Sequence, residues 1–375
     1  MAPASASAAV LEYRSVGENQ EIFYEAGSGE RNRVVASTDG ALVTFQDQGA
    51  VIQTGMNCDS VSEHVATCDY GAFAVVNMIL KGGRDSSRLV GDDVRVFADG
   101  GAGADRLRGG ALFDLLEGGR GPDVLVGRGS VDRILYTGRP DDLHVTLADG
   151  KRNDGGRRDG RRRDRLRGIE GVNGGDGDDV LIGDAEDNSL VGGNGRNVLR
   201  GRGGEDDLIG GDGRDLAVGG AGADLFPGSD GNDRAKGGGG PDHFQSGSTG
   251  NGRDVFVGGG GIDTAQFQSG ANRLSLDGEA NDGPCADPAC TSSNEGDNLI
   301  GIEDLLLGFG DDVLIGSKRD EIFRPSLGAD RVRARGGDDT IHVNEDGDPD
   351  LYDCGGGVDV LIGTPDAFDQ NPDCE

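Results

Sequence analysis

Aspartate recurs every nine residues along much of this 375-residue chain. From Gly100 the segments read GGAGADRLR, GGALFDLLE, GGRGPDVLV and GRGSVDRIL, which put Asp105, Asp114, Asp123 and Asp132 at the sixth position. A second block starts at Gly174, with Asp179, Asn188, Asn197, Asp206, Asp215, Asp224, Asp233 and Asp242 at that position. After a three-residue insertion near Ser246 the period resumes at Asp254 and Asp263. A third block gives Asp312, Glu321, Asp330 and Asp339, and an isolated copy, CGGGVDVLI, carries Asp359. Carboxylates are hard oxygen donors, so a regular row of them is a row of ligands for a hard divalent cation.

The residues around each aspartate say how such a row is built. Glycine at positions one, two and four permits backbone angles that other residues avoid and keeps Cβ atoms out of the turn. Main-chain carbonyls can then point at an ion. The three residues after the turn have strand character, with an aliphatic residue such as Leu107, Leu116, Leu125 or Ile134 at position eight turned inward. Two such units make one coil, and successive coils stack by parallel strand pairing about 4.8 Å apart. Equivalent carboxylates would then lie one coil spacing apart, where two charges at roughly 5 Å repel by about 3 kcal/mol at an effective dielectric of 20. A divalent cation reverses that sign. Calcium suits the place, because it takes six to eight oxygens in a flexible geometry while magnesium demands a stricter octahedron. Zinc and copper would want His or Cys, which the turns lack.

Composition bounds the class. There are 72 glycines, aromatics make up 5% and Trp is absent, so a thick rounded core is not expected. A glycine-rich disordered chain would fit those numbers, but it has no reason to keep aspartate and an aliphatic residue in phase. The net charge of -32 repels nucleic acid and anionic membrane surfaces and attracts cations. The longest apolar stretch, around Gly71 to Leu80, is too short to span a bilayer. Residues 1–9, MAPASASAA, read as what remains after removal of a signal peptide, with an added Met.

GGxGxDxUx nonapeptides are a calcium-binding parallel β-helix signature. The blocks at 100–135, 174–266 and 307–362 resemble the hemolysin-type (RTX) calcium-binding repeats of secreted bacterial proteins. The resemblance implies an all-β fold: a right-handed parallel β-roll or β-helix solenoid, with calcium held between adjacent turns by aspartate side chains and glycine-region carbonyls. It carries over wherever aspartate holds position six. At Asn188, Asn197 and Glu321 it implies weaker sites or other oxygens.

We expect a repeat region over 100–362, interrupted by excursions at 136–173 and 267–306. The excursions share landmarks: Tyr136 with Phe267, Asn153-Asp154-Gly155 with Asn281-Asp282-Gly283, and Gly168-Ile169-Glu170 with Gly301-Ile302-Glu303. They read as two copies of one unit. Residues 1–99 hold short β-like runs and are expected to form an irregular β cap, or early coils, over one end of the solenoid; a separate binding domain is the alternative. The acidic tail segment 344–354, with Asp346, Asp348 and Asp350 alternating, is either a further calcium loop or a solvated turn. The basic island 151–167 is expected to lean on the chain's own acidic faces rather than bind an anionic polymer.

Six cysteines fall in close pairs, Cys58 with Cys68, Cys285 with Cys290, and Cys354 with Cys374. Proximity does not fix their connectivity, but disulfides in an oxidising compartment are the better reading than free thiols. The closing C…DCE resembles the ends of actinobacterial calcium-binding repeat proteins, which implies a stapled tail over 363–375.

Neither HExxH nor GxSxG occurs, and His64, His144, His243 and His342 are scattered. The expected function is a secreted, non-enzymatic calcium-binding structural or cell-surface protein. An extracellular polysaccharide or surface molecule is the partner considered. The alternatives are a β-helical polysaccharide-acting enzyme, of the lyase or epimerase kind, and an adhesin.

Overall fold

The apolar residue two places after each repeat aspartate builds the core. The computed structural model describes residues 8–16, 19–40, 42–55, 57–69, 75–91, 93–147, 150–151, 153–157, 163–246, 252–278, 283–284, 297–365, 369–370 and 374. Among these there is no helix, and so none long and apolar enough to cross a membrane. The strands form a parallel β-roll, in two compact units, Met1–Leu181 and Ile182–Glu375.

The first unit opens with antiparallel pairing. Strand Ala9–Val16 pairs with Asn19–Glu25, and Arg33–Asp39, Leu42–Asp47, Val65–Asp69 and Cys58–Ser62 form a meander. Cys58 and Cys68 are direct partners in that meander and are joined by a disulfide. Parallel stacking then takes over. One side carries Val75–Ile79, Arg95–Asp99, Leu115–Glu117, Arg133–Leu135 and Gly171–Asn173 in succession. The other carries Arg33–Asp39, Ser86–Val90, Arg106–Arg108, Val124–Val126 and Arg165–Arg167. Side chains alternate across each strand, so single inward columns result: Met78, Ala98, Leu116, Ile134 and Val172 on one side, and Leu107, Leu125 and Leu166 on the other, all fully buried.

The second unit repeats this plan. One column runs Phe244, Ala265, Leu305, Phe323, Ile341 and Leu361; a second runs Leu199, Ala217, Ala235, Phe256 and Leu299. Large residues meet small ones. Next to the buried alanines 217 and 235 sit Phe226, Phe244 and Phe256, with ring centroids 4.7 Å and 5.5 Å apart. Such large–small alternation fills a thin core without voids. A third column, Leu274, Leu314, Val332 and Tyr352, serves the C-terminal coils, where a disulfide joins Cys354 to Cys374. Cys285 and Cys290 lie outside the described residues.

The coil length expected from two nonapeptides is seen as an 18-residue step between equivalent aspartates. Across the insertion near Ser246 the step is 21. Across the first excursion it is 41 and 38, and across the second 43 and 40. Both excursions therefore leave and re-enter the same stacking register. Tyr136 and Phe267 are each 1% exposed at the start of their excursions. Asn281 and Asp282 are outside the described residues.

Candidate metal sites

The turn backbone is fixed by the fold rather than by glycine alone. In the repeat starting at Gly192, positions two and four have left-handed φ angles, 97° at Gly193 and 98° at Gly195. At some turns without glycine at position two the angle persists: Lys81 at 62°, Arg128 at 136°, Arg202 at 87° and Arg335 at 74°. A left-handed non-glycine residue costs about 1–2 kcal/mol, so stacking holds these four against their own preference, whereas Asp184 and Ser317 are not left-handed and give their N–H to the sixth side chain.

Position six then forms a ladder. The main-chain N–H of each sixth residue donates to Oδ1 of its equivalent one coil later. In the first unit the series runs from Asp85 to Asp105 (2.7 Å), Asp105 to Asp123 (2.8 Å), Asp123 to Asp164 (2.8 Å), and separately Asp114 to Asp132 (2.9 Å). Leu143 donates in the same way to Asp179 (2.8 Å). In the second unit one series runs Asn188, Asp206, Asp224, Asp242, Asp263, and another Asn197, Asp215, Asp233, Asp254, Asp297. Two more run Asn272, Asp312, Asp330, Asp350, Asp369 and Glu321, Asp339, Asp359. A hydrogen bond to an ionised acceptor is roughly twice as strong as a neutral one, so each Oδ1 staples two coils.

The other carboxylate oxygen has a different fate. Oδ2 of Asp105, Asp132, Asp206, Asp215, Asp224, Asp242, Asp263, Asp312, Asp330 and Asp339 is buried and accepts no hydrogen bond. At Asp105, Asp132, Asp206, Asp215, Asp224, Asp242 and Asp263 it lies in a cradle over the first glycine of its own repeat. A Cβ on Gly219 would stand 2.0 Å from Asp224 Oδ2. A Cβ on Gly258 would stand 2.2 Å from Asp263 Oδ2 and 2.1 Å from the carbonyl oxygen of Gly301. Orphaned carboxylate oxygens and main-chain carbonyls thus crowd together with no donor between them. Burial pushes these carboxyls up: Asp105, Asp132, Asp206, Asp215, Asp242, Asp312 and Asp339 to about 7, and Asp330 to about 8. A buried anion that lacks a counter-charge either takes up a proton or recruits a cation. The donor set is all hard oxygen, which fits calcium.

Not every turn is of this kind. Asp114 Oδ2 accepts the N–H of Gly110 (2.6 Å), Asp179 Oδ2 that of Gly175 (2.9 Å), and Asp233 Oδ2 the hydroxyl of Ser229 (2.8 Å). The three departures from aspartate go further, because each turn contains a nitrogen donor aimed at a carbonyl. Asn197 Nδ2 donates to the carbonyl of Gly210 (3.3 Å), the oxygen that crowds Gly192. In the Asn188 turn the Arg202 guanidinium donates to the carbonyl of Gly183 (2.9 Å). In the Glu321 turn the Arg335 guanidinium donates to that of Gly316 (3.1 Å), while Glu321 accepts from the Ser317 N–H and hydroxyl.

Of the aspartates predicted from the period, Asp233, Asp254 and Asp359 are half-buried and the rest are buried. Sequence reasoning missed several members of the ladders. Asp164, Asp297 and Asp350 hold the sixth position without a glycine pair before them, Asp85 holds it with Gly82-Gly83 at positions three and four, and Glu170 and Glu303 take it with Oε2. Their signal was an aspartate two places before a strand-centre residue, as in Asp164-Arg-Leu166 and Asp297-Asn-Leu299. Asp350, from the acidic tail, belongs to a ladder and accepts the Tyr352 hydroxyl (2.5 Å). In the basic island the described contacts go to carbonyls, Arg163 to Gly155 and Arg165 to Gly150. Residues 152 and 158–162 lie outside the described set. His64 bonds the Ala50 carbonyl and His243 the Gln266 side chain. No group of three or more His, Cys, Asp or Glu side chains converges among the described residues, so any metal here draws on main-chain oxygens as well.

A family model described as the RTX calcium-binding nonapeptide repeat, in four copies, matches residues 81–116, 109–137, 173–208, 200–226, 209–244, 227–265 and 326–348. The matched segments cover just under half of the chain and begin upstream of Gly100, taking in Asp85. They leave out most of both excursions. No curated protein matches the chain.

Proposed function

This chain is an RTX-type repeat protein, and on that premise we propose that it is a secreted structural protein whose coils require calcium only at a defined subset of turns. The observation that carries the reading is the set of buried Oδ2 atoms that accept no hydrogen bond. At those turns Oδ2 of Asp105, Asp132, Asp206, Asp215, Asp224, Asp242, Asp263, Asp312, Asp330 and Asp339 would hold calcium together with glycine-region carbonyls. Bound calcium supplies the positive charge that lets these carboxylates stay ionised in the interior. The turns of Asn188, Asn197 and Glu321 are closed by the protein's own N–H groups and take no ion. The remaining predicted aspartates, Asp114, Asp123, Asp179, Asp233, Asp254 and Asp359, serve first as inter-coil staples and hold calcium more weakly.

The antiparallel strands of residues 9–69 cap one edge of the parallel stack against further pairing. The disulfides Cys58–Cys68 and Cys354–Cys374 fit an oxidising, extracellular setting. The role is non-enzymatic, with the acids spent on folding. Because ion binding is coupled to folding, removing calcium tests the proposal directly. Far-ultraviolet circular dichroism at pH 8 should show the cooperative β transition at a clearly lower temperature in excess chelator and its recovery in millimolar calcium. An identical melting temperature in the two conditions overturns the reading.

A further inference from the structure

One sheet face of the first unit opposes the overall charge of -32. It is the outer face of the five parallel strands that begin at Arg33, Ser86, Arg106, Val124 and Arg165. The strand register makes these residues one column, so arginine stands on every second strand: Arg33, Ser86, Arg106, Val124, Arg165. Strand spacing puts those arginines about 9.6 Å apart. The neighbouring column reads Val35, Arg88, Arg108, Val126, Arg167, with Arg88 and Arg108 directly opposite each other. Within the two columns no carboxylate stands, and Asp85, Asp105, Asp123 and Asp164 are turned into the interior; Asp39, at the far end of Arg33–Asp39, is the one exposed acid on these strands.

Like charges facing each other across strands destabilise a sheet. Among the described residues Arg33, Arg88, Arg106, Arg108 and Arg167 make no ion pair, and all five are exposed. Arg165 alone is anchored, to the carbonyl of Gly150 (2.6 Å). The columns line a groove of 620 Å³. Stability does not explain such an arrangement.

We propose that this face binds a linear, carboxylated polysaccharide in which a uronate alternates with a neutral sugar. A guanidinium grips a carboxylate with two parallel N–H donors, and a column charged on alternate strands matches a polymer charged on alternate sugars. Val124 and Ser86 lie between the arginines, where the neutral sugar would sit. The face carries no aromatic side chain on which bases could stack, which disfavours single-stranded nucleic acid. Its exposed apolar side chains are the valines Val35 and Val90, with no Leu, Phe or Trp to enter a lipid layer, which disfavours a membrane. The inference does not depend on which turns bind calcium; it requires only that the first unit be folded.

The test uses the full chain in millimolar calcium and hyaluronan fragments as the probe, with dextran, duplex DNA and phosphatidylserine vesicles alongside. Calorimetry should show hyaluronan binding that weakens steeply with salt. The triple variant Arg33→Gln/Arg106→Gln/Arg165→Gln, which removes the alternating column, should bind at least about tenfold more weakly, while still melting cooperatively in calcium. Arg253→Gln, which removes an exposed arginine of the second unit, should bind like the parent. No binding to hyaluronan by a protein that melts normally in calcium overturns the proposal and leaves the calcium reading standing. Equal binding by the triple variant, or tighter binding to DNA or vesicles, overturns it too. A protein that fails to melt cooperatively in calcium would count against the calcium reading instead.

Discussion

The turn that ends in Asn197 and the turn that ends in Asp224 belong to the same unit and stack in the same way, yet they differ in what completes them. Each donates its sixth N–H to Oδ1 of an aspartate one coil later. Over the first glycine of the Asn197 repeat lies an amide nitrogen that satisfies the Gly210 carbonyl. Over the first glycine of the Asp224 repeat lies a carboxylate oxygen that accepts nothing. One atom therefore decides whether a turn is complete in itself or needs a charge from outside. The stack requires a hydrogen-bond donor or a cation at this place, and the protein supplies it with an amide, with a guanidinium, or by recruiting calcium.

The largest separation between the two kinds of turn should come from pH. Buried aspartates such as Asp105, Asp215 and Asp242 have carboxyls raised by burial to about 7, and Asp330 to about 8. In the unfolded chain they titrate near 4. Between those values the folded state binds more protons than the unfolded state, so stability falls as pH rises. The contribution is fully present below about pH 4 and is lost by about pH 8. Calcium-stripped protein should therefore melt at a clearly higher temperature at pH 5 than at pH 8. In millimolar calcium the dependence should flatten or reverse, because protons then compete with the ion. Scanning calorimetry on dialysed protein measures both. A calcium-free melting temperature that rises toward pH 8 contradicts the account of the orphaned oxygens.

A smaller effect probes the cradle itself. Gly219→Ala places a Cβ 2.0 Å from Asp224 Oδ2, and Gly192→Ala places one 2.6 Å from Asn197 Nδ2 and 2.4 Å from the Gly210 carbonyl. Overpacking of this kind costs about 1–3 kcal/mol, and denaturant melts should register it for both variants. They should part company in calcium binding. Gly219→Ala should lose an ion by titration calorimetry, whereas Gly192→Ala should keep the parent stoichiometry. Loss of an ion in Gly192→Ala would remove the distinction between the turns.

How far the sequence foretold this depends on what each residue needs. The phase of Asp105, Asp114 and Asp123 with Leu107, Leu116 and Leu125 was legible, because a solenoid with one inward column tolerates little else at those positions. Asp164 and Asp297 were not legible, because no glycine pair precedes them, and Asp85 was not, because Gly82-Gly83 stand at positions three and four of its repeat. Glu170 and Glu303 stood out only as landmarks of a duplication, and their extra methylene hid that they replace the sixth aspartate. Charged Oδ2 and neutral Nδ2 differ by no spacing rule, so the completion of a turn by its own nitrogen had no sequence signature beyond the Asp-to-Asn change. The arginine columns were out of reach for another reason. Arg33, Arg106 and Arg165 are far apart in the chain and align only because parallel stacking brings their strands into one register.

The smallest effect is also the sharpest, because it exchanges the deciding atom in both directions. Asp224→Asn replaces the orphaned oxygen with an amide that can donate where nothing donated before. Calcium-free stability should rise by about 1 kcal/mol, the net worth of a hydrogen bond and a relieved buried charge, and the number of bound ions should fall by one. Asn197→Asp should do the reverse. It removes the donor to the Gly210 carbonyl, leaves two oxygens facing each other, and lowers calcium-free stability by about 1 kcal/mol while adding an ion. Combining the two changes should restore the parent stoichiometry with the site moved. The turns are far enough along the stack for their effects to add, as expected of coils coupled mainly to nearest neighbours. If Asn197→Asp gains no ion, an orphaned carboxylate oxygen does not suffice to recruit calcium, and the difference between turns must then lie in the carbonyls that surround it.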